Sequence, residues 1–172
     1  MIAIRLSEEK DIPEILEIYN YAIIHTTSVY SYLPHTLEMR KKWFKERKAA
    51  KQPVFVAETN NMIAGFISYG PFRAWPAYKY TMEHSVHVHK DYRRQGIASM
   101  LLEKIIESAK QNNVHSLIGA IDAANIASIK LHEQFNFKEV GHFKEAGYKF
   151  NKWLDLKFFQ LLFETPAKPT EG

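Results

Sequence analysis

Cysteine is absent from the 172-residue chain. Disulfide staples, thiolate zinc sites and a cysteine nucleophile are therefore excluded, and any chemistry must run on oxygen and nitrogen groups. The absence fits a reducing compartment. No apolar stretch reaches membrane-spanning length, and the opening Met1-Ile2-Ala3-Ile4-Arg5 lacks the charged segment, long apolar run and small-residue cleavage site of an export signal. A cytoplasmic protein without a membrane partner is the expectation. Neither an internal repeat nor a composition shift divides the chain, so a single domain over residues 1–165 is expected, followed by a flexible tail over 166–172.

What is present suits a packed domain: 46% of residues are hydrophobic and 24% charged, near the average of soluble globular chains. Lysine and arginine (23) exceed aspartate and glutamate (19), a mild basic excess that favours an anionic ligand only where it clusters at a phosphate. Ala3 to Leu6 reads as a strand. Asp11-Ile12-Pro13-Glu14 combines an N-cap, an early proline and an acidic residue, and Ile12, Ile15, Leu16, Tyr19 and Ile23 recur behind it at helical spacing. His25 to Leu37 is a loop, and Thr36 caps a second helix running to about Ala50. Pro53–Glu58 and Met62–Tyr69 form a hairpin through Asn60-Asn61. The aromatic, proline-bearing loop from Gly70 to Tyr78 is able to wall a pocket, and Thr81 to His89 returns to strand. Gly96 opens a helix ending near Asn113, Val114 to Ala123 is a buried strand, Asn125 to Phe135 is a helix, and Phe137–His142 and Phe150–Leu162 are strand-like. Hairpins plus one βαβ stretch predict a mixed-sheet α/β (α+β) domain.

The chemical signal lies in Val86-His87-Val88-His89-Lys90-Asp91-Tyr92-Arg93-Arg94-Gln95-Gly96-Ile97-Ala98-Ser99, a strand passing through a basic, glycine-bearing turn into a helix. A helix N-terminus presents unsatisfied N–H groups and partial positive charge, Gly96 and Ala98 let the backbone approach closely, and Arg93 and Arg94 add charge. A pyrophosphate fits such a turn, although an ordinary helix start with surface arginines gives the same residues. No glycine precedes at Walker spacing, no Gly-Lys-Ser/Thr follows, and the dinucleotide fingerprint fails likewise.

At these residues the chain resembles the GNAT N-acetyltransferase superfamily, whose Arg/Gln-x-x-Gly-x-Gly/Ala turn is matched by Arg93-Arg94-Gln95-Gly96-Ile97-Ala98. The resemblance implies the GNAT fold, a central mixed, mostly antiparallel twisted sheet flanked by helices, with acetyl-coenzyme A as co-substrate. It assigns the pyrophosphate to the turn Arg93, Arg94, Gln95, Gly96, Ile97, Ala98 and Ser99, the pantetheine arm to the backbone of Val86, His87 and Val88, and further cofactor contacts to Asn125 and Ser128. Five more blocks resemble the phosphinothricin and methionine sulfoximine/sulfone acetyltransferase branch: Gly70-Pro71-Phe72-Arg73, Glu83-His84-Ser85-Val86, Ile121-Asp122-Ala123-Ala124-Asn125, Ser128-Ile129-Lys130-Leu131-His132-Glu133 and Lys149-Phe150-Asn151-Lys152-Trp153-Leu154-Asp155. The resemblance runs from about Ile4 to Leu162.

An ammonium has no lone pair with which to attack a thioester, so acetyl transfer needs a base. Glu83, on the strand before the turn, is the candidate, and burial beside apolar neighbours would raise its pKa toward working pH. Without the resemblance it reads as a strand glutamate paired with a nearby lysine or arginine. Charge developing on the carbonyl oxygen falls to a backbone N–H near His87 or Val88. His132 stands where the superfamily often carries a tyrosine, and the resemblance assigns it to protonating the thiolate or assisting proton removal; the alternative is a helix histidine satisfied by a backbone or carboxylate partner. Tyr30, Phe72, Arg73 and Tyr78 are the candidate acceptor contacts, with Arg73 meeting a carboxylate or phosphinate. The branch carries more than one basic residue in this loop, whereas Trp75 and Pro76 follow Arg73 here, which tells against phosphinothricin and leaves methionine derivatives. His84, His87 and His89 invite a metal reading, but acetyl transfer needs no metal, and exposed or loop-facing histidines are expected instead.

The sequence thus reads as an acetyl-coenzyme A-dependent N-acetyltransferase acting on a small amino-acid-like amine, with neither metal nor nucleic-acid partner and, by resemblance, a homodimer. One rival is acetylation of a polyamine or a protein N-terminus, which a long acidic groove would favour. Another is an inert acetyl-coenzyme A-binding protein. A nucleic-acid module is suggested by the basic excess, the Tyr92-Arg93-Arg94 turn and scattered aromatics, but no recognised binding motif supports it.

Overall fold

Among residues 1–171, which the computed structural model describes, one sheet of seven strands runs through the chain with four α-helices. Strand β1 (Ala3–Leu6) leads to helices α1 (Ile12–His25) and α2 (Leu37–Ala49), then to β2 (Val54–Thr59), β3 (Met62–Pro71) and β4 (Thr81–Val88). Helix α3 (Ile97–Gln111), strand β5 (Ser116–Asp122), helix α4 (Ile126–Gln134), and strands β6 (Lys138–Lys149) and β7 (Lys152–Leu162) follow. The sheet order is β1-β2-β3-β4-β5-β7-β6, with every contact antiparallel except β4–β5.

Alternation along β2 shows how the core is divided. Val54 and Val56 face the cluster formed with Ile12, Ile15, Ile18 and Phe44 of α1 and α2, whereas Phe55 and Ala57 face Leu101, Leu102 and Ile105 of α3. A period-2 strand covered on both faces reads as an unbroken apolar run, which is why β2 and β3 look continuous in sequence. The β2–β3 hairpin closes through Asn60 (φ 51°) and Asn61 (φ 59°), two left-handed residues of the kind a two-residue hairpin requires. Thr36 caps α2 as expected, its hydroxyl accepting the Met39 N–H at 3.2 Å.

Two expectations are corrected. Asp11 occupies the N-cap position of α1 as expected, but its side chain does not cap the helix: the carboxylate is buried and receives the two terminal Arg5 guanidinium nitrogens, at 2.7 and 2.9 Å, with the Glu8 N–H at 2.8 Å. A carboxylate this close to an arginine makes a better ion-pair partner than a helix cap. The last hairpin is also longer than its apolar residues suggest. β6 continues to Lys149 as an exposed edge strand with bulges near Gly141 and Gly147, and Phe150 belongs to the turn, with φ 52°. Edge strands carry charge and bulges and so lose the period-2 signal.

The β4–β5 seam positions the site. The two strands pair only from Thr81–His84 against Ser116–Gly119, after which β4 follows β3 to Val88 while β5 follows β7 to Asp122. A wedge opens in mid-sheet at that point. Beyond β7 the chain is irregular but returns to the body, with the Thr165 hydroxyl donating to Val114 O (2.6 Å) and the Thr170 N–H to the Tyr80 hydroxyl (3.1 Å). Among the described residues no helix is long and apolar enough to cross a membrane.

Candidate active site

A cleft of about 650 Å³ occupies the wide end of the wedge. One wall is Val86, His87 and Val88 of β4, and the floor is the turn Arg93–Arg94 and Gly96 with the first residues of α3, Ile97, Ala98 and Ser99. Asn125, Ser128 and Leu131 form the opposite wall. Arg94 (φ 62°) and Gly96 (φ 75°) both adopt left-handed backbone, and a Cβ built on Gly96 meets nothing within 4 Å, so the turn is open above the helix start. The first intrahelical bond runs from the Met100 N–H to Gly96 O, which leaves the N–H groups of Ile97, Ala98 and Ser99 without helical partners at the positive end of the α3 dipole.

The exposed edge of β4 is equally specific. The His89 N–H donates to Ala64 O, and the His87 carbonyl oxygen lies against Gly65, so residues 85, 87 and 89 turn their polar groups to β3. By alternation the N–H and C=O groups of Val86 and Val88 face the cleft, and of the two candidate oxyanion donors it is Val88, not His87, that faces inward.

A second cavity of about 360 Å³ abuts the first, sharing Thr27, Ser28, Val86, His87, Asn125 and Ser128 in its walls. Tyr19, Tyr30, Glu83, His84, Gly119, Asp122 and His132 line the remainder. Burial raises the pKa of Glu83, and the positive charge of Arg73 acts in the opposite direction. Tyr30 lies across Gly147, donates to Asp155 O at 3.2 Å and is pushed up to about 12 by burial together with the charges of Asp122 and Asp155.

The histidines divide between the two sides of β4, and the expectation that they are exposed fails for two of them. His84 (5% exposed) stacks on His132 at 5.1 Å, and His87 (7%) stacks on Phe66 at 5.1 Å and meets Tyr19 edge-on. Burial holds His84 well below the usual histidine range and His87 at about 4, so both are neutral. His89 lies past the strand end, accepting the Asp91 N–H on Nδ1. Three separate environments result, and among the described residues no group of three histidine or carboxylate side chains could hold a metal ion. His132 is 2% exposed, donates Nδ1–H to Ser128 O at 2.7 Å and therefore presents a bare Nε2 to the Nε2–H of His84 at 3.2 Å. Gly119 makes room for this pair.

The structure thus gathers Glu83, His132, Tyr30 and all of the turn and β4 residues except Gln95 around two joined cavities. Asn125 is there too, its side-chain oxygen capping α4 through the Ser128 N–H (3.2 Å). Phe72, Arg73 and Tyr78 do not line either cavity. Phe72 stacks with Tyr78 and Phe158, and the exposed Arg73 guanidinium lies 4.4 Å over the Phe72 ring. Residues the sequence did not single out for the site are Tyr19, Thr27, Asp122, His84 and Gly119. Thr27 donates its hydroxyl to Asp122, tying the loop after α1 to the end of β5. Thr27 and Asp122 lie 95 positions apart, so no local pattern marks them.

Comparison with known proteins agrees with this geometry. Residues 4–157 match the acetyltransferase (GNAT) domain. The chain is 34% identical over 168 residues to the L-methionine sulfoximine/L-methionine sulfone acetyltransferase of Salmonella typhimurium, covering 98% of each chain. Among solved structures it superposes on an N-acetyltransferase from Staphylococcus aureus Mu50 with TM-score 0.93 and 48% identity, covering 94% of this chain and 98% of that one. A phosphinothricin acetyltransferase from Sinorhizobium meliloti, solved in complex with AcCoA, superposes with TM-score 0.95 and 28% identity over 99% of this chain and 94% of that one. A wedge-split sheet, a helix-start turn and a family match across most of the chain lead to one conclusion: this protein belongs to the GNAT acetyltransferase family.

Proposed function

We propose that the chain transfers the acetyl group of acetyl-CoA to the amino group of a small amino-acid-like acceptor of the methionine sulfone, methionine sulfoximine or phosphinothricin type, with Glu83 as general base. One observation carries this reading. A half-buried carboxylate with a raised pKa lines a small cavity that abuts a larger cleft ending on a bare helix N-terminus.

The residues suit acetyl-CoA. The open left-handed turn at Gly96 and the N–H groups of Ile97, Ala98 and Ser99 are disposed to receive a pyrophosphate, with Arg93 and Arg94 beside them. Val86 and Val88 offer strand-like polar groups to an extended amide chain. Bound there, acetyl-CoA supplies an activated acyl group. Glu83 takes the proton of the acceptor ammonium, and the Val88 N–H faces the cleft where negative charge develops. His132, with Nδ1–H fixed on Ser128 O and Nε2 accepting the Nε2–H of His84, lines the cavity and fixes the orientation and tautomer of His84. A small cavity, not a long acidic groove, supports an amino-acid acceptor over a polyamine or a peptide. Arg73, whose charge reaches Glu83, is the acceptor's anionic-group partner once the loop carrying Phe72 and Tyr78 meets the ligand. Exposed Phe143, Tyr148, Phe150 and Trp153 on the last hairpin support pairing of two copies.

Thiol release from acetyl-CoA, measured with methionine sulfone, methionine sulfoximine, phosphinothricin, spermidine and a peptide amine, tests the acceptor class. Turnover on the amino-acid analogues alone is the expected result; a preference for spermidine or the peptide overturns the acceptor assignment. Gly96→Ala, which places a side chain where the backbone is left-handed and above the open turn, is expected to weaken acetyl-CoA binding about fivefold, equivalent to ~1 kcal/mol. Calorimetric titration reads this directly, and an unchanged affinity would remove the turn from the cofactor site.

A further inference from the structure

The acceptor cavity owes one wall to a segment with no regular structure. Thr27, Ser28, Val29 and Tyr30, in the loop between α1 and α2, all line it. An irregular loop holds a defined shape only if its backbone groups find partners elsewhere.

A single lysine supplies partners for two of the loop's carbonyls and for one at the end of α1. Lys149, the last residue of β6, is 6% exposed, and its ammonium donates to three backbone carbonyls: Ile23 O at 2.6 Å, Val29 O at 2.7 Å and Thr26 O at 2.8 Å. Ile23 O is one of the last carbonyls of α1, a group left without an intrahelical partner, at the negative end of the helix dipole. An ammonium has three donors and no acceptors, so three converging oxygens satisfy it completely. Its charge is balanced by carbonyl dipoles, which explains how a lysine remains buried here. The same hairpin meets the same loop at three more places, through Tyr30 packed over Gly147, the Tyr30 hydroxyl on Asp155 O and the Tyr32 hydroxyl donating to Tyr148 O at 2.6 Å.

We infer that Lys149 is a positioning residue for acetyl transfer: its ammonium fastens the loop 26–30 to the last hairpin and so fixes the acceptor-side wall facing Glu83. The inference rests on the function proposed above for its kinetic readout. Lys149 itself lines neither cavity; of the loop residues it holds, Val29 walls the acceptor cavity alone and Thr26 walls the cofactor cleft, while Tyr30 on the same loop faces only the acceptor, so the larger effect falls on the acceptor. A methionine at this position keeps the apolar stem and removes the three donors. A guanidinium keeps the charge but is planar and cannot converge on three oxygens arranged around one nitrogen.

The absence of cysteine permits a chemical rescue. Lys149→Cys carries the sole thiol of the chain, and aminoethylation under denaturing conditions, followed by refolding, restores an ammonium at lysine length. Lys149→Met, Lys149→Arg and unmodified Lys149→Cys are expected to raise the acceptor KM about tenfold or more, with smaller changes in kcat and in acetyl-CoA affinity. Hydrogen exchange is expected to rise in residues 26–30 while α3 and β5 stay protected, and aminoethylated Lys149→Cys recovers both readouts. Unchanged KM and loop exchange in all three variants overturn the inference. So does loss of acetyl-CoA binding together with exchange rising throughout the chain, since Lys149 would then serve the fold alone. Should no acceptor of the proposed class be turned over, loop exchange and its recovery on aminoethylation still decide the matter, and only the acceptor assignment falls.

Discussion

Glu83→Gln is expected to lower kcat by about 10²–10⁴-fold, the ordinary contribution of a positioned general base, while acetyl-CoA binds as before. The amide is nearly isosteric with the carboxyl and leaves the cavity wall intact, but it cannot accept the ammonium proton. The pH dependence supplies a second, independent signature. Burial raises the Glu83 pKa and Arg73 opposes the shift, and the active form is the carboxylate. Activity at limiting acceptor therefore climbs with pH through a limb whose midpoint lies above the usual glutamate value, and this limb disappears in the glutamine variant. Arg73→Gln removes the opposing charge and moves the midpoint further up. Thiol release across the pH range reads all three proteins. Full activity in Glu83→Gln would remove the residue from the base role, and a midpoint that stays put in Arg73→Gln would uncouple the two side chains.

Gly119→Ala is expected to destabilise the fold by about 1–3 kcal/mol, the usual cost of an added methyl group in a filled interior. A Cβ at this position would lie 2.9 Å from His132 Nε2 and 3.1 Å from His84 Nε2. Neither ring is free to yield. His132 is anchored on Ser128 O and wedged edge-on against Phe137 at 5.1 Å, and His84 is tilted against the same phenylalanine at 5.6 Å. Separating the rings breaks their shared hydrogen bond and leaves uncompensated nitrogens on buried side chains. For a chain of this size the melting temperature should fall by roughly 2–12 °C. His84→Ala in the Gly119→Ala background opens the space again, so the two changes should be non-additive by about 0.5–3 kcal/mol. A melting temperature unaffected by Gly119→Ala, measured by calorimetry, would mean that the histidine pair does not pack against β5 in this way.

Sequence reasoning reached those parts of the molecule where the cause is local. Asn60-Asn61 makes a tight hairpin because both residues tolerate left-handed backbone, and Thr36 caps α2 because its hydroxyl reaches three residues ahead. The Gly96 turn was readable for the same reason, since strand, turn and helix start are contiguous. It failed where the cause is tertiary. Asp11 has the sequence of a helix cap but binds Arg5, six residues earlier. His84 looked like a surface histidine because alternation says only which face it takes, not that α4 covers that face with His132. The loop with Phe72, Arg73 and Tyr78 is as aromatic as a pocket wall, yet it packs on itself and on Phe158. Lys149 is the clearest case: its partners lie 120 to 126 positions away and are backbone carbonyls, which carry no residue identity to read.

At Val86 and Val88 the β4 backbone keeps polar groups unpaired by any strand, which on an outer strand would invite edge-to-edge aggregation with another chain. Here the raw edge is recessed between two halves of the same sheet, with α3 below and α4 across the gap. A free strand from a neighbouring molecule has no straight path to it, whereas a thin, flexible chain does. The enzyme keeps a sticky edge for its ligand and shields it from its own kind by depth alone.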